Sequence, residues 1–220
     1  MYEKGDMMRY YISDMHFYHY QLNIQMDCRG FSDVEQMNDH MISKWNSRVK
    51  PKDEVVILGD LSLGTAEETN QILKRLNGAL YLIEGNHDRY LKKSEFHRER
   101  FVWIKPYAEM RDNGRKVVLS HYPVFCYNGQ YHRNKSGEPT TYMLYGHVHD
   151  TMDEQLVRKF CDITKQTMRK SKYDEEPQSI PCNMINCFCM YSDYQPLSLD
   201  EWIALTKQRL IRCQNVEDSL

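Results

Sequence analysis

The segment Gly85-Asn86-His87-Asp88 sets an amide, an imidazole and a carboxylate side by side, directly after the apolar run Ala79 to Ile83. Four other short apolar or aromatic runs end in the same manner. Arg9 to Ile12 leads into Asp14 and His16, and Glu54 to Leu58 into Gly59-Asp60. Lys116 to Leu119 leads into Ser120-His121, and Tyr142 to Tyr145 into Gly146-His147-Val148-His149. In an open α/β sheet the carboxyl ends of the strands share one rim, so residues far apart in sequence are expected to meet there. A carboxylate, imidazole and amide set suits first-row divalent metals better than magnesium, which prefers oxygen, or thiolate-bound zinc. Asp14, His16, Asp60, Asn86, His121, His147 and His149 are too many donors for one tetrahedral ion. They match two ions sharing one carboxylate, roughly 3.5–4 Å apart.

Spacing supports this reading. Asp14-x-His16 and His147-x-His149 place each pair on one side of an extended segment. Glycines ahead of Asp60, Asn86 and His147 are expected to let the backbone turn and approach an ion without a Cβ in the way. A single histidine after a strand is commonly a hydrogen-bonded structural residue. Five strand ends in order, each with the needed residue type, carry the metal reading instead. His19, His40, His97 and His132 belong to no such block and read as structural.

The elements that must position these residues alternate between strand and helix. Ser32 with Glu35 reads as a capping box before Val34, Met37, Met41, Trp45 and Val49, apolar at helical spacing and stopping before Pro51. Thr65 with Glu68 repeats the device before Ile72, Leu73 and Leu76, and Asn77-Gly78 ends that helix. Asn113-Gly114 reads as a hairpin turn between Tyr107–Met110 and Lys116–Leu119. A helix is expected from near Thr151, a strand over Cys182–Tyr191, and a last helix capped by Ser198 and Glu201. Residues 127–139 and 165–181 read as polar and irregular. The layout is one domain over residues 1–220, with a motif-bearing core at about 8–150 and a helix, strand and helix completing it at about 151–210.

Composition bounds the partners. With 220 residues, 41% of them hydrophobic, the chain can bury a substantial core. A formal net charge of -2 gives no broad basic face for nucleic acid or anionic lipid. No run approaches the ~20 apolar residues of a membrane helix, and no leader-like segment is evident, so a soluble, cytoplasmic protein without a membrane partner is expected. The seven cysteines lack CxxC spacing and read as free thiols. Cys182, Cys187 and Cys189 could be soft metal ligands or core residues, with Cys187 and Cys189 on one face of a strand.

The blocks Asp14-Met15-His16, Gly59-Asp60, Gly85-Asn86-His87-Asp88, Ser120-His121 and Gly146-His147-Val148-His149 resemble, in order, the signature of the calcineurin-like metallophosphoesterase family. The resemblance runs from about Arg9 to Glu201. It is similar in particular to small phage-like and bacterial members, whose first motif is followed by segments comparable to Tyr20–Ile24 and Arg29-Gly30-Phe31. It implies an α/β fold, a two-layer β-sandwich flanked by helices, with a binuclear site at the strand C-terminal edge. Asp14, His16, Asp60 and His149 would hold one ion, and Asp60, Asn86, His121 and His147 the other, with Asp60 bridging. Manganese is the first expectation, with iron, zinc, nickel or cobalt as alternatives. His87 would face the substrate, and Asp88 would hydrogen-bond and orient it.

Such a centre would lower the pKa of a bridging water toward ~7 for in-line attack on a phosphodiester or phosphomonoester, with His87 assisting the leaving group. A small phosphoester is the expected substrate. Two alternatives stay open: a nuclease using a strip of Arg98, Arg100, Lys105 and Arg111, and a non-catalytic metal-binding scaffold. Phe17, Tyr18, Tyr20, Tyr127 and Tyr131 are candidates to stack on a nucleobase. Neither the oligomeric state nor the ester preference follows from the sequence.

Overall fold

The computed structural model describes residues 7–170, 172 and 175–217. Strands β1 (Arg9–Ile12), β2 (Glu54–Ile57), β3 (Ala79–Ile83) and β4 (Phe101–Lys105) pair in parallel in that order. Helix α1 (Val34–Arg48) joins β1 to β2, and α2 (Ala66–Arg75) joins β2 to β3. After Pro106 the chain enters a second sheet through the antiparallel pair β5 (Tyr107–Asp112) and β6 (Arg115–Ser120), followed by β7 (Thr141–Tyr145). Helix α3 (Met152–Gln166) and a two-residue ribbon, β8 (Met168–Arg169) with β9 (Gln178–Ser179), precede β10 (Met184–Asn186). The second sheet has the order β10-β7-β6-β5, and α4 (Leu199–Glu217) follows.

Side-chain alternation shows how the layers stack. Val55 and Ile57 of β2 pack with Met37, Met41 and Trp45 of α1 and Ile72 and Leu73 of α2, whereas Val56 points into the space between the sheets. Val117 and Leu119 of β6 fill that same space, whereas Val118 packs with Val157 of α3. The order is therefore helices, sheet, sheet, helix, a β-sandwich flanked by helices. Strands buried on both faces read as continuous apolar runs such as Val55–Leu58. Each buried branched side chain contributes about 1.5–3 kcal/mol, and a one-residue slip would exchange the two faces. The rim of strand ends is thus held in fixed register.

Several local expectations shift. Helix α1 is capped by Asp33, whose carboxylate accepts from Gln36 N at 2.7 Å, one residue later than the Ser32–Glu35 box. Ser32 instead donates its backbone N–H to Gln36 Oε1. Thr65–Glu68 forms the reciprocal box, and Ser198–Glu201 exchanges the same bonds. Strand β4, Phe101–Lys105, lay unread because charged residues surround it. The expected Cys182–Tyr191 strand shortens to Met184–Asn186, with a 3-10 turn at Cys189–Ser192. That turn separates Cys187, buried between the sheets, from Cys189, buried beneath α1, so the two do not share a face.

Candidate metal centre

The loops leaving β1, β2, β3, β6 and β7 bring all seven expected donors together. Ligand atoms of Asp14, His16 and His149 lie within 4.8 Å of one another, as do those of Asp60, His121 and His147. Asp60 Oδ2 stands between the groups, 3.6 Å from His16 Nε2 and 3.4 Å from His121 Nε2. Asn86 Oδ1 is 3.0 Å from His121 Nε2. The first group is wholly buried, whereas Asn86 and His147 are exposed, so the second group faces solvent.

Backbone conformation at the rim is unusual. Asp14, His16, Asp60, His147 and His149 all have positive φ, between 48° and 71°. Such residues occupy a sparsely populated region at a cost of about 1–3 kcal/mol each, and persist where the surroundings over-determine them. Here Asp14 N donates to Gly59 O, His16 N to Asp60 O, and His147 N to Asp14 Oδ1. The glycines serve this packing. A Cβ on Gly85 would overlap Asp60, one on Gly146 would overlap Asp14, and one on Gly59, at φ +90°, would overlap the His121 ring. They make room for neighbouring donor side chains, where the sequence had suggested room for an ion.

Proton positions are set from outside the cluster. His121 Nδ1 lies 2.8 Å from Leu58 O, so it donates there and turns Nε2 inward. His149 Nδ1 lies 2.8 Å from Asp27 Oδ1, with the same effect, and Phe188 stacks on its ring at 4.5 Å. His16 Nε2 and His149 Nε2 are 3.2 Å apart, and His16 Nδ1 is buried without a hydrogen-bond partner. Burial pushes the Asp14 carboxyl up and the His16 and His147 imidazoles down. Burial is the largest influence on both His121 and Asp60 and opposes their charge, but their mutual hydrogen bond, the charges around them and backbone hydrogen bonds together outweigh it, raising His121 to about 9 and lowering Asp60. Inward-facing nitrogens, two buried carboxylates and an amide oxygen, with no thiolate among them, form a donor set that fits divalent first-row cations.

Three neighbours went unread as site residues. Asp27 accepts from His149 and from Arg29, at 3.0 and 2.8 Å, while Arg29 donates to Met15 O and Asp14 O at 2.7 and 3.0 Å. Arg29, carried by the resemblance alone, thus clamps the Asp14–His16 turn, and Asn23 holds that loop through two bonds to Phe31. His19, read as structural, has its ring 5.4 Å from His16 and 6.1 Å from His87, and its Nδ1 is buried without a partner. Tyr122 lies against His147 at 4.6 Å and His121 at 5.1 Å while 49% exposed. Its place directly after His121 was the available signal.

Other expectations are corrected. Asp88 does not hold His87: its oxygens accept from the N–H groups of Asp60, Leu61 and Gly85 and from Tyr90 Oη. It braces the turns that carry Asp60 and Asn86, and burial raises its pKa to about 6. The half-exposed His87 is tied by its backbone N–H to Asp60 Oδ1 at 2.8 Å. Of the proposed stacking aromatics, Phe17 is core, Tyr127 is buried and bonded to Asn183, and Tyr131 lies beneath Arg169. Three of the four cations of the basic strip bond main-chain carbonyls, and the fourth, Lys105, lies exposed over the Trp103 ring. Arg100 donates to the carbonyls of Leu73, Leu76 and Gly78, Arg98 to Leu91 O, and Arg111 to Gly114 O.

Comparison with known proteins points to the same family as the motifs. The profile described as the calcineurin-like phosphoesterase superfamily domain matches residues 7–161. The chain is 32% identical over 211 residues to the uncharacterized protein MJ1445 of Methanocaldococcus jannaschii, covering 94% of this chain and 96% of that protein. Its fold is similar to a crystal structure of AQ665 from Aquifex aeolicus, described as a protein of unknown function. The TM-score is 0.59 at 22% identity, covering 91% of this chain and all of that one.

Proposed function

The chain belongs to the calcineurin-like phosphoesterase superfamily, and we propose that it hydrolyses a small phosphodiester or phosphomonoester at a two-metal centre. The observation that carries this reading is the place of Asp60, between two donor groups at the end of β2. Asp14, His16, Asp60 and His149 would hold one ion, and Asp60, Asn86, His121 and His147 the other. Manganese suits the mixed donors, with iron, zinc, nickel or cobalt as alternatives. Such ions would neutralise phosphoryl oxygens and make water acidic enough to ionise near neutral pH.

The chain's own residues do the rest. Leu58 O and Asp27 hold the Nδ1 protons of His121 and His149, so that both rings turn Nε2 inward, where a metal would take the place of any proton. His87, half exposed beside His16, is placed to give a proton to the leaving oxygen, a role commonly worth ~10²–10⁴ in rate. The exposed ring of Tyr122 forms one wall on the solvent side and would contact the ester's organic group. A small substrate is favoured over a polynucleotide because Arg98, Arg100 and Arg111 are bonded to main-chain carbonyls. Among the described residues no helix is long and apolar enough to cross a membrane.

The test is turnover of a chromogenic phosphodiester and a chromogenic phosphomonoester by purified protein with manganese. Hydrolysis that a chelator abolishes supports the reading. No turnover with manganese, iron, cobalt, nickel or zinc contradicts it and favours a scaffold.

A further inference from the structure

A groove of about 240 Å³ between α3 and α4 holds chemistry that ester hydrolysis does not use. Cys161 of α3 and Cys182, two residues ahead of β10, both line it, with sulfur atoms 3.6 Å apart. Cys161 is partly exposed and Cys182 buried. The Thr164 hydroxyl donates to Cys182 Sγ at 3.4 Å and accepts from Cys182 N at 3.0 Å, which holds this sulfur against α3. The Cys161 thiol and the Thr164 hydroxyl, with Lys165 nearby in the same groove, draw the Cys182 pKa below that of an ordinary thiol. The other cysteines whose side chains are described differ. Cys187 and Cys189 are enclosed in separate cores, and Cys28 and Cys126 are exposed.

We propose that Cys161 and Cys182 are a dithiol that a hydroperoxide closes to a disulfide. A thiolate sulfur attacks the peroxide O–O bond, giving a sulfenic acid and releasing hydroxide, which takes up the thiol proton as water. The second thiol then displaces a second water to form the S–S bond. Two thiols and one hydrogen peroxide thus give one disulfide and two waters. The groove admits water-sized molecules, so peroxide reaches the pair, and the second sulfur is already in contact with the first. Bond formation needs an approach from 3.6 Å to about 2.05 Å.

The bond would close residues 162–181, which carry the β8–β9 ribbon, and would tie α3 to the lead-in of β10. These elements also meet at the metal rim. Asn186 Nδ2 donates to His149 O at 2.8 Å and to Glu154 Oε2 of α3 at 3.0 Å.

The test treats reduced full-length protein with hydrogen peroxide, alkylates it and maps the peptides by mass. The expected result is a Cys161–Cys182 peptide linked within one chain, lighter by two hydrogens and reversed by dithiothreitol. Its thermal midpoint should rise, because the closed loop constrains the unfolded chain. Cys161→Ser, checked for folding by circular dichroism, should show neither the linkage nor the rise. Full alkylation of both sulfurs once the exposed Cys28 and Cys126 are oxidised would overturn the proposal. So would unlinked sulfinic acids at both positions. The wild-type peptide map decides this alone if the serine variant fails to fold.

Discussion

Asp27 Oδ1 lies 2.8 Å from His149 Nδ1, while the opposite oxygen of the same carboxylate is held by Arg29. Asp27 thereby links the imidazole of the last motif to the turn of the first, because Arg29 also holds the carbonyls of Asp14 and Met15. Partners of this kind set ring orientation and basicity, and their loss commonly costs about 10–100-fold in metal affinity. Asp27→Asn should weaken manganese binding at the Asp14, His16 and His149 group by that order. Calorimetric titration checks it: unchanged affinity would show that the bond to His149 is incidental.

His87 and His19 flank the His16 ring without joining the donor groups. His87→Ala should lower kcat by about 10²–10⁴ with metal content unchanged. His19, whose Nδ1 has no partner, is placed to donate to a phosphoryl oxygen, so His19→Ala should cost about 10–100-fold in kcat/KM, the worth of one hydrogen bond to a charged group. Steady-state kinetics beside elemental analysis separates the cases, since loss of metal in either variant would make that histidine a ligand.

A Cβ at residue 85 would overlap the backbone and carboxylate of Asp60. Gly85→Ala should destabilise the metal-free protein by about 1–3 kcal/mol through overpacking. It should also displace the shared carboxylate, so manganese binding falls with stability. Urea unfolding measures the first effect, and an unshifted midpoint would mean that the β3 loop can yield.

His121 binds a proton up to about pH 9 in the metal-free protein. A metal must displace that proton, so binding releases it and apparent affinity rises with pH up to the raised value. Below pH 9 the logarithm of the affinity for the ion at Asp60, His121 and His147 should increase by about one per pH unit. Titration calorimetry in buffers of different ionisation enthalpy reads the released proton directly. A pH-independent affinity between 6 and 8 would contradict the assignment of His121.

The donors were legible in the sequence because each follows an apolar run, and parallel strands must deliver their ends to one rim. The fold was legible for the same reason, down to the capping boxes of α2 and α4. Strand β4 was not, since Phe101–Lys105 follows Arg98-Glu99-Arg100 and shows little alternation. Asp27 and His19 were hidden in another way. Their roles depend on a loop folding back through Asn23–Phe31 and Arg29, contacts that no periodicity encodes. Asp88 misled because adjacency to His87 suggested a bond, whereas the turn points its carboxylate to backbone N–H groups.

The most direct measurement titrates metal-free protein with manganese while following bound metal and hydrolysis of a chromogenic phosphodiester together. Two equivalents should bind per chain, turnover should appear as the second is taken up, and Asp60→Asn should retain no more than one tightly bound ion. Saturation at a single equivalent, or two ions held tightly by the Asp60→Asn variant, would contradict a centre built on a shared carboxylate.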